Sequence, residues 1–506
     1  MAAAAIVCGA MFYTSCSNKV DTVKQEPITQ GNPYLPLWEH IPDGEPYVFE
    51  DPDNPGKQRL YIYGSHDNLK TMYCGRDQVV WSAPVEDLTQ WRYEGEILVV
   101  NKNAKGEPFD SAGTADVLYA PDVTLVTDSI GKKTYYLFPN DQTGFRNGLI
   151  AKSDSPKGPF EVCNWNADDP NKVDGIYGFD PAVFVDDDGR VYGYWGFEHS
   201  MAAEIDPATM CTVKPGTEVV DGMVSGRNEP GVFRFFEASS LRKIKDKYVF
   251  IYSRFTEDGE FGLPTSNYTL AYAYSDKPLG PWTYGGTIID GRAREKDEQG
   301  NVIASAVPDG NTHGSICEIN GQWYVFYHRM TNHSITSRRA CVERITILPD
   351  GTIPPVEMTS LGFEDALNPY QVTPAEIACV LRGGCFITEK DIFTRVITEI
   401  TDGCVMGYKY FDFGDDFTGD GLTLALKIRG MGMNSVLRAR LDDPENGPEI
   451  GVCAIGTGDG VYRMKTAPVT GRHALYLTAE QTTEGWMRRF FDGRRLFELE
   501  SFVFMK

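Results

Sequence analysis

Phe179-Asp180-Pro181-Ala182-Val183-Phe184-Val185-Asp186-Asp187-Asp188-Gly189-Arg190-Val191-Tyr192-Gly193-Tyr194-Trp195 carries the pattern that decides the fold. One acidic residue precedes a short apolar run. A turn of three aspartates and a glycine follows, and the chain returns through an aromatic, β-prone segment. This reads as an antiparallel hairpin. The returning segment has four counterparts, so that the set spans residues 57–64, 132–139, 189–196, 246–253 and 321–328. Aligned on their last aromatics, Tyr63, Phe138, Tyr194, Tyr252 and Tyr327, they are spaced by 75, 56, 58 and 75 residues. Each spacing suits one four-stranded antiparallel sheet with its loops.

A polar residue stands ahead of each aromatic run: Asp43, Asp122, Asp180, Glu237 and His313. Five hairpin-centred repeats predict a five-bladed β-propeller over residues 30–355. The first strand of each blade lines the central axis of such a ring. The five polar residues are therefore expected to converge at one end of it. The related segments 152–160 and 274–282, each with a Gly-Pro-aromatic ending, read as later strands and turns of two blades.

Beyond residue 365 the repeat stops. Runs such as Gly421–Gly430, Asn434–Asp443 and His473–Glu480 alternate apolar and polar residues between turn signals. They predict a β-sandwich of jelly-roll type over 365–506, joined to the propeller near Pro354–Pro369. The fold class is all-β.

Composition agrees with a soluble globular chain. Among 506 residues, 48 Lys and Arg face 71 Asp and Glu, for a net charge of −23, and 12% are aromatic. That acidity disfavours nucleic acid and anionic membrane surfaces, which need clustered Lys and Arg. A neutral substrate such as a carbohydrate fits better. Residues Met1–Phe12 read as the tail of a secretory signal. Tyr13-Thr14-Ser15-Cys16 resembles a bacterial lipobox, which implies export to the periplasm or cell surface and a lipid anchor at Cys16. The eleven cysteines include no CxxC pair, which argues against a zinc or redox motif. Cys379, Cys385, Cys404 and Cys453 leave room for one disulfide.

Carboxylates converging on an axis repel one another and lose solvation. One can then stay protonated while another stays ionised. That division suits an acid and a base flanking a glycosidic bond. The chain resembles glycoside hydrolase family 43 in five ordered elements. These are Asn32-Pro33-Tyr34-Leu35-Pro36 with Ile41-Pro42-Asp43; Tyr119-Ala120-Pro121-Asp122; Phe179-Asp180-Pro181; Phe236-Glu237-Ala238-Ser239; and His313-Gly314-Ser315. The resemblance implies an inverting, exo-acting hydrolase that removes arabinofuranosyl or xylosyl units from plant oligosaccharides or polysaccharides. It assigns Asp43 as general base, Glu237 as general acid and Asp180 as the residue that tunes and orients the acid. It places His313 beside an axial calcium. Gly44-Glu45-Pro46 departs from the family's proline after the base, so either Asp43 or Glu45 points inward, with Asp43 in the better register. Trp38, His40, Asp122 and Arg329 are candidates to line the sugar pocket. A β-galactosidase or exo-galactanase on the same fold is an alternative, as is a non-catalytic glycan-binding lipoprotein.

Residues 407–414, 471–477 and 496–504 resemble landmarks of a family 6 carbohydrate-binding module. That likeness implies a structural calcium near Glu376 and a sugar-stacking role for Tyr462. A module that only supports the propeller is an equal expectation.

Overall fold

A computed structural model describes residues 31–36, 38–144, 146–306, 310–417 and 419–506. The expected leader at 1–16, with Cys16, lies outside the described residues.

The repeat resolves into five antiparallel sheets. Four have four strands each, beginning with Glu45–Glu50, Asp122–Thr127, Ala182–Val185 and Phe235–Ile244; the fifth has three, Ile316–Ile319, Gln322–Thr331 and Ser334–Ile345. The innermost strands meet in cyclic order. Tyr47 of the first blade donates to Asp122 of the second at 2.6 Å, and Asp122 Oδ2 accepts from the Val183 amide of the third at 2.6 Å. Arg242 of the fourth donates to the Ile316 carbonyl of the fifth at 2.9 Å. The Asp43 amide donates to His328 Nδ1 of the fifth at 3.2 Å, which closes the ring.

The aromatic second strands are apolar on both faces because blades stack face to face. Val191–Trp195 is buried throughout, as is Gln58–Tyr63 after its first residue. Each gap between blades holds its own core. Tyr61 and Tyr63 meet Val123 and Leu137 between the first and second blades, and Leu60 and Ile62 meet Tyr324 and Phe326 between the first and fifth. Asn32 lies along the outermost strand of the fifth blade. Its side chain donates to the Val342 carbonyl at 2.7 Å and accepts from the Val342 amide at 2.9 Å, and the Tyr34 amide donates to the Ala340 carbonyl at 3.2 Å. The segment 31–36 thus supplies the edge that the three-stranded sheet lacks.

The second region is two packed antiparallel sheets of six and five strands around a continuous core. Phe363 packs into the propeller and Leu367 into the sandwich, so the change of core falls between them. The two bodies are tied by buried polar contacts. Arg339 pairs with Glu376 at 2.9 Å, each about 1% exposed. Arg329 donates to the backbone carbonyls of Ala378 and Glu376. The nine cysteines of the described residues are free thiols, and Cys385 and Cys404 sit side by side unbonded.

Candidate active site

A pocket of about 520 Å³ opens at one end of the propeller axis. Asp43, Asp180 and Glu237 converge on it and are 3%, 3% and 5% exposed. Asp43 and Asp180 sit at turns entering their inner strands, with φ of 59° and 48°, in the left-handed region that Asp tolerates better than most residues.

Asp43 is tightly held. Ser65 donates to Oδ2 at 2.6 Å and Arg338 Nη1 donates to Oδ1 at 2.8 Å. Burial works to raise its pKa. The Arg338 guanidinium outweighs burial and holds the carboxyl well below the usual carboxylate range. His328 accepts from the Asp43 amide through Nδ1, and its Nε2 donates to the Asn311 carbonyl at 3.0 Å. This is the neutral ring, consistent with a pKa lowered by burial. Arg338 is itself clamped by Asp67, with Nε to Oδ2 and Nη2 to Oδ1 both at 2.9 Å. Glu45, the alternative base, lies toward the axis and pairs with Arg242 at 2.6 Å.

Glu237 has the opposite environment. Burial and the neighbouring Asp180 charge push its pKa up to about 8, against a weak lowering by Asn311, which donates to Oε1 at 3.2 Å. Asp180 is fixed by Asn140 at 2.7 Å, by the Ala238 amide at 3.0 Å and by His313 Nδ1 at 3.3 Å. The Ala238 contact binds Asp180 to the residue after Glu237 and so sets where the acid points. Burial opposes a charge on His313, but Asp180 lifts its pKa to about 9. Phe179, Phe197 and Phe236 wall one side, with successive ring centres 5.2 and 5.0 Å apart, and Phe197 is half exposed at the mouth.

The four expected pocket-lining residues do not line this pocket. Asp122 lies deeper and bridges three blades; burial and Glu45 raise its pKa to about 7. Trp38 packs on Trp81 with ring centres 5.5 Å apart. His40 Nε2 bonds Glu389 of the sandwich at 2.7 Å, and Arg329 faces the sandwich backbone. Each sits beside a motif element in sequence, but successive side chains of an extended chain point opposite ways. Tyr462 is half-buried against the sandwich core, with its hydroxyl tied to the Gly458 carbonyl at 2.7 Å.

The side chains at the implied calcium sites are largely engaged with other partners. Calcium takes about six to eight oxygen ligands. Among the described residues no three His, Cys, Asp or Glu side chains converge as a metal-binding group. At the axis, His313 faces Asp180 and one oxygen of Glu45 serves Arg242, while Glu45 Oε1 is buried without a partner. In the sandwich, Glu376 is committed to Arg339. No catalytic step is assigned to a metal.

The residues that sequence reasoning missed follow a mirror rule. In three of the five hairpins the polar residue of the inner strand lies opposite a polar residue just beyond the last aromatic of the returning strand. Glu45 pairs with Tyr63, which places Asp43 opposite Ser65; Ile316 pairs with Val325, which places His313 opposite His328; Glu237 pairs with Ser253 directly. Asn140, two residues beyond Phe138, falls outside this rule, because Phe138 itself pairs with Asp122. Arg338 and Asp67 carry no such local signal.

The family profile of glycosyl hydrolases family 43 matches residues 56–353. A xylosidase/arabinosidase of Thermoclostridium stercorarium is 36% identical over 422 residues, covering 75% of this chain and 82% of that protein. An arabinoxylan arabinofuranohydrolase of Paenibacillus polymyxa is 26% identical, covering 86% and 68% respectively. Among solved structures, an arabinoxylan arabinofuranohydrolase of Bacillus subtilis in complex with cellotetraose aligns over 95% of this chain and 99% of its own, at 21% identity and a TM-score of 0.49. With the profile covering more than half of its length, the chain belongs to glycoside hydrolase family 43.

Proposed function

We propose that the protein is an exo-acting, inverting glycoside hydrolase that releases arabinofuranosyl or xylosyl units from plant oligosaccharides or arabinoxylan side chains. One observation carries the residue roles: two carboxyls buried in one pocket are driven to opposite protonation states. Glu237 is pushed up to about 8 and Asp43 is held far down. At neutral pH the first is an acid and the second a base.

Glu237 gives its proton to the glycosidic oxygen as the bond from that oxygen to the anomeric carbon breaks. A water attacks the anomeric carbon from the opposite face and loses its proton to Asp43. Asp180 raises the acid's pKa by repulsion and fixes the backbone beside it. Arg338 keeps the base ionised, and Ser65 together with the contact of His328 to the Asp43 amide keeps it aimed. A pocket at one end of the axis with its carboxyls buried suits a terminal or branching sugar rather than an internal stretch of chain. The relatives' names support the pentose class. The sandwich is assigned a supporting role, on the strength of its buried ties through Glu376 and Glu389.

The test uses 4-nitrophenyl arabinofuranoside and xyloside with wild type, Glu237→Gln and Asp43→Asn, and NMR of the first-formed anomer. Activity on one of these glycosides, lost by about 10²- to 10⁴-fold in each variant, is the expected result. A retained anomer would overturn the mechanism.

A further inference from the structure

The sandwich strand Phe386–Glu389 lies against two propeller segments, 66–74 and 331–338. Its Ile387 carbonyl accepts from the Asn332 amide at 2.8 Å, and the Phe386 ring centre lies 5.2 Å from that of His333. From the same two segments Tyr73, Cys74, Ile335 and Arg338 line the catalytic pocket. We infer that Glu389 is a positioning residue for the general base: by gripping His40 and Lys70 it holds the Asp67–Arg338 pair in place against Asp43. This rests on the glycosidase reading above and deepens it, since it ties the sandwich to the chemistry.

Each link is a hydrogen bond. Glu389 Oε1 accepts from His40 Nε2 at 2.7 Å and Oε2 accepts from Lys70 Nζ at 2.6 Å, with Arg395 3.5 Å away. His40 Nδ1 is buried with no partner among the described residues, as fits a neutral ring protonated at Nε2. The His40 carbonyl accepts from the Asp67 amide at 3.0 Å, and the Lys70 carbonyl accepts from Thr336 Oγ1 at 2.9 Å. Asp67 Oδ2 accepts from both the amide and Nε of Arg338 at 2.9 Å, and Arg338 Nη1 donates to Asp43 at 2.8 Å. The two residues that Glu389 grips thus hold the two segments that carry the partners of the base.

The fifth blade repeats this division. Arg329 pairs in register with Arg339, and His328 with Ala340. Successive side chains of a strand leave on opposite faces. His328 and Arg338 face Asp43, while their neighbours Arg329 and Arg339 face the sandwich at Ala378 and Glu376. A shift of the sandwich is therefore a shift of the base's partners. A misplacement of about 1 Å can cost about 10²-fold in rate.

Lys409 supplies the control. It ties the sandwich to Glu295 and Glu357 at 2.5 and 2.9 Å, and the cavity it lines shares no residue with the catalytic pocket. The test takes Glu389→Ala, Glu389→Gln and Lys409→Met in the full chain. It measures kcat, KM and the pH profile on 4-nitrophenyl arabinofuranoside or xyloside. Besides Arg338, the titratable groups facing Asp43 are His328, His313 and Glu237, and none of them is altered. Glu389→Ala is expected to lose at least tenfold in kcat with KM within twofold. Its acid limb should move to higher pH, because a loosened Arg338 lets the pKa of the base rise. Glu389→Gln keeps one acceptor oxygen and should fall between this variant and wild type. Lys409→Met should lower Tm and leave the acid limb in place. An unmoved acid limb in both Glu389 variants, or an equal shift in Lys409→Met, overturns the assignment. If the wild type cleaves neither glycoside, the hydrolase reading fails. Amide hydrogen exchange over 66–74 and 331–338 then decides the path to Asp43: faster exchange in Glu389→Ala than in Lys409→Met supports it, and equal exchange rejects it.

Discussion

Arg338 is shared between two buried carboxylates: it gives one hydrogen bond to Asp43, through Nη1 at 2.8 Å, and two to Asp67. The base therefore feels a fixed positive charge without being locked in a two-pronged pair. Asp67 is fully buried and also accepts from the Cys74 amide at 3.0 Å.

Replacing Arg338 with Met removes the charge that outweighs burial at Asp43. The pKa of the base then rises. Because the base must be ionised, activity is lost as pH falls through that pKa. The acid limb of the pH–kcat/KM profile should accordingly move to higher pH. An unmoved acid limb would show that Arg338 does not tune the base.

Asp67→Asn leaves the guanidinium with Asp43 as its one anionic partner in this pair. The base becomes still less basic and is drawn toward Arg338. A loss of about tenfold or more in kcat is expected, with the acid limb moving down or staying in place. Asp67→Ala and Asp67→Asn should behave alike in this respect, whereas a packing role alone would be rescued by Asn.

Asp180→Asn removes the like charge next to Glu237. The acid must be protonated, so activity is lost as pH rises through its pKa of about 8. In the variant that alkaline limb should move to lower pH, alongside a fall in kcat from the altered anchor at Ala238.

Glu237→Gln has a stability signature as well. The folded pKa of about 8 lies above that of an exposed Glu, so the folded state binds the proton more tightly. The penalty for ionising the buried carboxyl grows as pH rises between the two values and is complete above the upper one. The variant should melt higher than wild type at pH 9 and close to it at pH 4. Calorimetric scans at both values decide this.

Glu376→Ala strands the buried Arg339 guanidinium between the two bodies. Removing one partner of a buried pair costs about 3–5 kcal/mol. A lower Tm is expected, with the propeller and sandwich melting as separate transitions.

The ring was legible in the sequence because its signal is local and repeated. The aromatic runs ending at Tyr63, Phe138, Tyr194, Tyr252 and Tyr327 each need only their own turn to be recognised. The three carboxylates were legible for the same reason, since Asp43 and Asp180 stand just ahead of apolar strands and Glu237 lies at the start of one. Arg338 was not, because its partner Asp43 is 295 residues away and nothing near it in the chain marks it. The Arg339–Glu376 pair was hidden likewise, and without it Glu376 reads as a ligand waiting for a cation. Trp38, His40 and Arg329 misled in the opposite way: proximity along the chain to a motif says nothing about which face of the backbone a side chain leaves from.

Asn32 seals the last blade from a point 310 residues earlier in the chain. A ribosome makes the seal 310 residues before its seat. The nascent propeller consequently stays an open arc, with the outer edge of its fifth sheet unpaired, until the strand carrying Val342 has emerged. Final closure is then a search between distant parts of the chain, the kind of step that slows folding. Any cut or permutation that separates residues 31–36 from the fifth blade should leave a sheet edge open to pairing with another molecule.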